Sequence, residues 1–129
     1  MKVLSLEQMN QLKELGVDVK PKGTCLMYTS DSSDNYYLKY GESTCEDDVA
    51  AFGLQDVIEL LPKQIINCNE IYLLKIIPIS NEVSYVQFNS QICADITKYP
   101  LRVKKQDSLF NSLFEMLIWV IENGYLKTK

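Results

Sequence analysis

Three segments of the chain carry the spacing of apolar side chains that is typical of amphipathic helices. The first, residues 6–15, follows Ser5 and Gln8, which have the spacing of a capping box, and it stops before Gly16. A glycine directly after the last apolar position is typical of a helix C-terminus. We therefore expect a short first helix over residues 6–15, with these apolar residues on one face: Leu6, Met9, Leu12 and Leu15.

The other two helical segments lie in the middle and at the C-terminal end of the chain. Residues 54–61 have one apolar and one polar face, and Pro62 ends the segment because proline disfavours a helical conformation in the preceding residue. Residues 108–123 form the strongest pattern, with Asp107 as the predicted N-cap and Gly124 directly after the last helical turn.

Two pairs of β-prone segments predict two hairpins. Residues 24–29 and 36–40 are rich in Tyr, Thr and Leu and flank a polar, turn-forming stretch. Residues 71–77 and 83–88 are rich in β-branched and apolar side chains, with a plausible turn between them at residues 80–82. Residues 91–105 fit one more short edge strand around Ile92, Ala94 and Ile96, with a break at Pro100.

Together these elements predict an α+β fold. We expect an antiparallel sheet of about four strands, made of the two hairpins, with three helices of which the C-terminal one is longest and packs on the sheet. The chain has 129 residues, which fits a single domain, 1–129.

Trp119 lies on the polar side of the predicted C-terminal helix, next to residues such as Glu115. A tryptophan there forgoes the burial of a large apolar ring unless something covers it. The C-terminal tail or a loop of the same chain is one explanation. A partner protein or a second copy is another, because tryptophan is enriched at binding hot spots, and cofactor stacking is a third.

A group of tyrosines flanks the first predicted turn. Tyr28, Tyr36, Tyr37 and Tyr40 lie in its two strands, and Asp31 and Asp34 lie in the turn itself. Tyrosine offers rigid contact area with a polar tip, which suits a recognition surface, but it is also a good strand former. The pattern therefore fits either a recognition surface or ordinary sheet packing.

The composition restricts the kinds of catalysis and ligand binding that the chain can perform. The chain has no histidine, which excludes Ser-His-Asp and Cys-His catalysis and His-ligated zinc. Its net charge is −4, from 13 basic and 17 acidic residues, which argues against direct binding of duplex nucleic acid. The sequence contains no glycine-rich phosphate-binding loop, no calcium-binding loop and no Cys-x-x-Cys motif. We expect neither a cofactor nor a metal, and we read the paired carboxylates, Asp47 and Asp48 among them, as a solvated surface.

The four widely spaced cysteines and the short apolar runs indicate a cytoplasmic protein. We expect the thiols to be free and mostly buried, without disulfides. The chain shows no export signal and no apolar run long enough to cross a membrane, so we expect no membrane association.

The apolar and capping patterns at residues 6–16, 54–65 and 113–126 resemble small uncharacterised proteins of phages and mobile elements of gut anaerobic bacteria. This resemblance implies a cytoplasmic accessory protein of a mobile element and carries over no activity and no site residues.

The sequence leaves three hypotheses for the function. The first is a non-enzymatic interaction protein that binds a protein partner, or a second copy of itself, through Trp119, Glu115 and the tyrosine and aspartate positions around the first turn. The second is an anti-defence or regulatory protein that blocks a host nucleic-acid-binding factor with its acidic surface. The third is a small enzyme or ligand-binding domain that uses carboxylate, Tyr or Lys chemistry.

Overall fold

The structure, a computed structural model, describes residues 2–30, 35–89 and 95–126, with the backbone alone for residues 88, 89 and 95–100. The chain divides into two compact units, the first ending at Asp56 and the second beginning at Val57. In the described residues there are three α-helices and seven strands, and every strand pairing is antiparallel. The predicted α+β class is confirmed; a single domain over the whole chain stays a prediction.

The first unit contains a helix and a three-stranded sheet. Helix α1 spans Leu6–Glu14, and strands β1, β2 and β3 span Cys25–Ser30, Tyr36–Gly41 and Val49–Ala50. The strand order is β2-β1-β3, so β1 is central and β2 is an edge strand. The hairpin of β1 and β2 agrees with the prediction, whereas β3 is an additional strand that is not among the predicted elements.

The ends of α1 are formed by the residues that the sequence indicated. Ser5 accepts a hydrogen bond from the backbone N–H of Gln8, and the Gln8 side chain accepts one from the N–H of Ser5. Beyond the helix, Gly16 has a φ of 97°, a conformation that favours glycine. The backbone N–H groups of Gly16 and Val17 bond to the carbonyls of Lys13 and Leu12, which completes a Schellman turn.

The second unit contains a four-stranded sheet and the longest helix. Strands β4, β5, β6 and β7 span Gln64–Asn67, Glu70–Ile77, Glu82–Asn89 and Asp95–Lys105, in the order β4-β5-β6-β7. A 3-10 turn, Pro78–Ser80, links β5 to β6. Helix α2, Leu54–Leu60, includes the point where the two units divide, and α3 spans Leu109–Glu122. As predicted, α3 is the longest helix and packs on the sheet, against β6 and β7.

Details of the second unit differ from the sequence prediction. The N-cap of α3 is Ser108 rather than Asp107, because the Ser108 hydroxyl is the group that accepts the N–H of Asn111. Pro100 does not end the last strand. It lies within β7 opposite Val86, at a register irregularity, and an edge strand tolerates proline at such a position. Ile92 and Ala94 lie outside the described residues.

The short hairpin turn after β4 explains why the sequence pattern does not predict this strand. Cys68 and Asn69 alone connect β4 to β5, with φ angles of 53° and 66°. Two consecutive residues with positive φ are typical of a type I′ turn, whose usual sequence signal is Asn-Gly. Without that signal, a four-residue strand shows no recognisable pattern.

Candidate interaction surface

Strand β2 exposes four large side chains on consecutive or alternate positions. Tyr36 is 41% exposed, Tyr37 52%, Leu38 47% and Tyr40 71%. We call these four side chains, together with the outer backbone edge of β2, the β2 surface. Large exposed side chains grouped along one strand in this way mark a candidate interaction site.

The pairing of β1 with β2 explains how these side chains are arranged. Tyr36, Leu38 and Tyr40 are opposite Ser30, Tyr28 and Leu26 of β1, so these residues share one face of the sheet. Tyr37 and Lys39 point to the other face, opposite Thr29 and Met27, which are both buried. Since β2 is at the edge of the sheet, its side chains stay more exposed than those of the central strand β1, of which Met27 and Thr29 are buried and the rest are half-buried.

The other sheet edges carry features that discourage pairing with a further strand. Strand β3 has two residues, both buried, and β4 has four residues. Strand β7 contains Pro100 and a register irregularity, and its last part carries Arg102, Lys104 and Lys105. Short length, proline, bulges and positive charge are the usual means by which edge strands avoid aggregation. Strand β2 has six residues, no proline and one charge, Lys39.

The second unit also has exposed apolar side chains, but they are arranged differently. Ile66 and Ile71 are directly opposite each other in β4 and β5, and Ile79 in the 3-10 turn is 95% exposed. An exposed pair and single exposed residues are ordinary on protein surfaces. The β2 surface differs because four exposed residues follow one strand edge that pairs with no further strand in the described part of the chain.

Tyr28 is part of the sheet rather than of the exposed surface. Its side chain is half-buried, and its hydroxyl donates a 2.7 Å hydrogen bond to the backbone carbonyl of Leu4. Burial raises the pKa of Tyr28, so the hydroxyl keeps its proton and remains a donor. Of the four predicted tyrosines, the structure thus leaves Tyr36, Tyr37 and Tyr40 available to a partner. Asp31 and Asp34 lie outside the described residues.

Trp119 and Glu115 lie on α3, in the second unit. Glu115 is exposed, whereas Trp119 is half-buried and contacts the ring of Tyr125, with ring centroids 5.4 Å apart and planes tilted by 40°. The explanation that the start of the C-terminal tail covers Trp119 therefore accounts for its place on the polar side of the helix. A role of Trp119 or Glu115 in binding stays a prediction.

The acidic loop before β3 contains a buried carboxylate, contrary to the expectation from the sequence. Asp47 is exposed as expected, but Asp48 is only 4% exposed, so its interpretation as a solvated residue is wrong. Its Oδ2 accepts hydrogen bonds from the Ser43 hydroxyl at 2.9 Å and from the backbone N–H groups of Thr44 and Cys45 at 3.1 and 3.3 Å.

These hydrogen bonds decide the ionisation of Asp48. Burial by itself raises the pKa of the carboxyl, but the hydrogen bonds from Thr29, Ser43 and the two backbone amides outweigh burial and lower the pKa. The carboxylate is therefore ionised near neutral pH and holds the loop in place. A general acid would need the opposite shift.

A shallow cavity of about 320 Å³ lies beside this loop. Its volume is at the lower end of the range for ligand pockets. Asp48 already accepts three hydrogen bonds from residues of the loop. The other residues around the cavity do not form a recognisable catalytic arrangement. The lining residues are Lys20, Pro21, Ser43, Thr44, Cys45, Glu46 and Asp48.

The expectation of buried thiols is wrong for two cysteines. Cys45 and Cys68 are exposed and Cys25 is half-buried, and all three are free. Cys45 lies in the connection between β2 and β3, and Cys68 lies in the turn between β4 and β5. Cys93 lies outside the described residues. Among the described residues, no group of three or more Cys, Asp or Glu is placed to hold a metal ion.

Leu38 is the member of the β2 surface that the predicted tyrosine group lacked. The signal was present, because Tyr36, Leu38 and Tyr40 alternate with Tyr37 and Lys39 along the strand. Alternation shows which residues share a face. It does not show whether that face is covered, which depends on the position of the strand in the sheet.

No helix in the described part of the chain is long and apolar enough to span a membrane. Comparisons with protein-family models, with curated proteins and with solved structures found no match to this chain.

Proposed function

We propose that this chain is a non-enzymatic interaction protein that binds a protein strand along the free edge of β2. The observation that carries the proposal is the β2 surface itself: a six-residue edge strand with exposed aromatic side chains, no proline and a single charged residue. Strand addition to such an edge combines backbone hydrogen bonds with side-chain contacts on alternate positions.

The side chains of the β2 surface suit this mode of binding. Tyrosine loses little conformational entropy when it is immobilised and combines apolar contact with a hydroxyl group, so it is enriched in binding surfaces. The role proposed for the chain, an accessory protein of a phage or mobile element that acts in the cytoplasm, rests on the resemblance described above and on the cysteine pattern.

The test compares proteins captured by tagged wild-type chain with those captured by two variants. Leu38→Lys places a charge at the centre of the β2 surface, and Ile79→Lys makes the same kind of change at a residue that is 95% exposed in the other unit. Capture is performed in extract of the native host that also contains the untagged chain, with quantitative mass spectrometry and a thermal unfolding control.

The captured amount of at least one protein, which can be the untagged chain, is expected to fall about tenfold or more with Leu38→Lys, as for the loss of a central contact. The captured amount of the same protein is expected to stay unchanged with Ile79→Lys. If every captured protein is retained by a folded Leu38→Lys chain, the β2 surface does not bind proteins and the proposed function is wrong.

A further inference from the structure

The residues of β2 form a sequence that is complementary to itself in antiparallel orientation. Leu38 is at the centre of the five residues from Tyr36 to Tyr40. Tyr36 and Tyr40 lie two positions away from it on the same face, and Tyr37 and Lys39 lie one position away on the other face. A second β2 that runs antiparallel and is centred on Leu38 therefore places Tyr36 opposite Tyr40 and Tyr37 opposite Lys39.

Symmetry restricts the possible registers. A two-fold axis perpendicular to a sheet maps each face of the sheet onto itself, and directly opposite residues of antiparallel strands share a face. Two residues of one strand that share a face are separated by an even number of positions. The residue halfway between them therefore lies opposite its own copy, and the axis passes between these two copies. An axis at Lys39 places two positive charges opposite each other, which is unfavourable. An axis at Tyr37 leaves Tyr40 without a partner, because the position opposite it lies before the start of the second copy's β2.

The register centred on Leu38 gives favourable pairs over the five residues from Tyr36 to Tyr40. The aromatic pair of Tyr36 with Tyr40 occurs twice across the axis, and the Lys39 ammonium group faces the ring of Tyr37, an attractive cation–π arrangement. The single charge of the strand is thus never opposite its own copy. Pairing in this register joins the two three-stranded sheets into one sheet of six strands and removes the exposed edge.

From this complementarity we infer that the strand bound by β2 is β2 of a second copy of this chain, antiparallel about a two-fold axis at Leu38. The inference rests on the proposed function, because it names the partner of the same edge. Pairing of one short strand lies at the small end of specific interfaces, so the dimer is expected to dissociate on dilution, with a Kd on the order of micromolar.

The first test is sedimentation equilibrium of the full chain between about 1 and 500 µM, a range that brackets such a Kd. The wild-type chain and Ile79→Lys are expected to show the same monomer–dimer equilibrium. Leu38→Lys is expected to weaken it by about tenfold or more, because it replaces a Leu–Leu contact at the axis with two like charges.

The second test fixes the register. Leu38→Glu alone is expected to weaken the dimer as Leu38→Lys does, since like charges again face each other at the axis. An equimolar mixture of the two variants is expected to form a heterodimer that is about tenfold tighter than either homodimer, because position 38 of one copy is then opposite the complementary charge. Mixing either variant with Ile79→Lys is the control, and the mixed dimer is expected to be no tighter than the Ile79→Lys homodimer.

The outcomes separate this inference from the proposed function. A wild-type chain that stays monomeric over the whole concentration range, while Leu38→Lys still loses a captured protein, shows that β2 binds a different protein and overturns the inference alone. A dimer that is insensitive to Leu38→Lys, or charge variants that do not recover on mixing, overturns it as well. A monomeric chain with no selective loss in capture overturns both proposals.

Discussion

The ring of Tyr125 lies 5.4 Å, centroid to centroid, from the ring of Trp119, and the turn that ends α3 places it there. Gly124 has a φ of 77°, and the N–H groups of Gly124 and Tyr125 bond to the carbonyls of Ile121 and Val120. These two bonds form a Schellman turn, which reverses the chain and returns the next side chain to the last turns of the helix. The apolar residue on the polar side of α3 is thereby covered from within the chain.

Replacement of Tyr125 tests this cover directly. Tyr125→Ala is expected to expose Trp119 and to shift its fluorescence emission to longer wavelength, with a loss of roughly 1 kcal/mol of unfolding free energy from the aromatic pair. The signal is specific because Trp119 is the single tryptophan of the chain. Tyr125→Phe keeps the ring and is expected to keep the wild-type spectrum. An unchanged spectrum in Tyr125→Ala would show that Tyr125 does not shield the indole.

Ser112 is a second residue of α3 whose role follows from its contacts. Its buried hydroxyl accepts the N–H of Gln106 at 2.8 Å and donates to the carbonyl of Asn81 at 2.5 Å. Ser112→Ala leaves both backbone groups without this partner, so we expect a loss of about 1–3 kcal/mol in denaturant unfolding. Ser80→Ala removes a 3.4 Å hydrogen bond to the carbonyl of Ile77 and is expected to lower the free energy of unfolding by less than Ser112→Ala does. Equal losses in the two variants would contradict this role of Ser112.

Asp48 predicts a dependence of stability on pH. Its pKa in the folded chain is lowered, so protons bind the unfolded chain more tightly. The contribution of Asp48 is therefore fully present above the unfolded pKa of about 3.9 and is lost as the pH falls through the lower folded value. Asp48→Asn is expected to be less stable than wild type by about 1–3 kcal/mol near pH 7 and to approach it at acidic pH.

Urea unfolding at a series of pH values measures this effect. Asp47→Asn, which changes the exposed neighbour, is the matched control and is expected to follow the wild-type curve. If Asp48→Asn also runs parallel to wild type at all pH values, the carboxylate does not stabilise the loop in its ionised form.

Cys68 provides a prediction in the stabilising direction. Its φ of 53° is unfavourable for a cysteine, whereas asparagine tolerates this conformation and is favoured in type I′ turns. Cys68→Asn is expected to raise the free energy of unfolding by about 0.5–1 kcal/mol. Cys45→Asn, at another exposed free cysteine, is expected to leave stability unchanged. A destabilised Cys68→Asn chain would contradict the turn assignment.

Local signals were sufficient for much of the fold. The capping box of Ser5 with Gln8 and the glycine after α3 each act through hydrogen bonds within a few residues, so the sequence predicts them well. Strand β3 escaped prediction because two residues have no periodicity, and its pairing partner β1 is distant in the sequence.

The sequence by itself determined the element types, the hairpin of β1 with β2 and the alternating faces of β2, since all of these depend on neighbouring residues. Only the tertiary structure decided that Asp48 is buried, that Tyr28 bonds to Leu4, and that β2 is an edge strand. Burial and edge position depend on contacts between residues far apart in the chain, and a local pattern does not contain them.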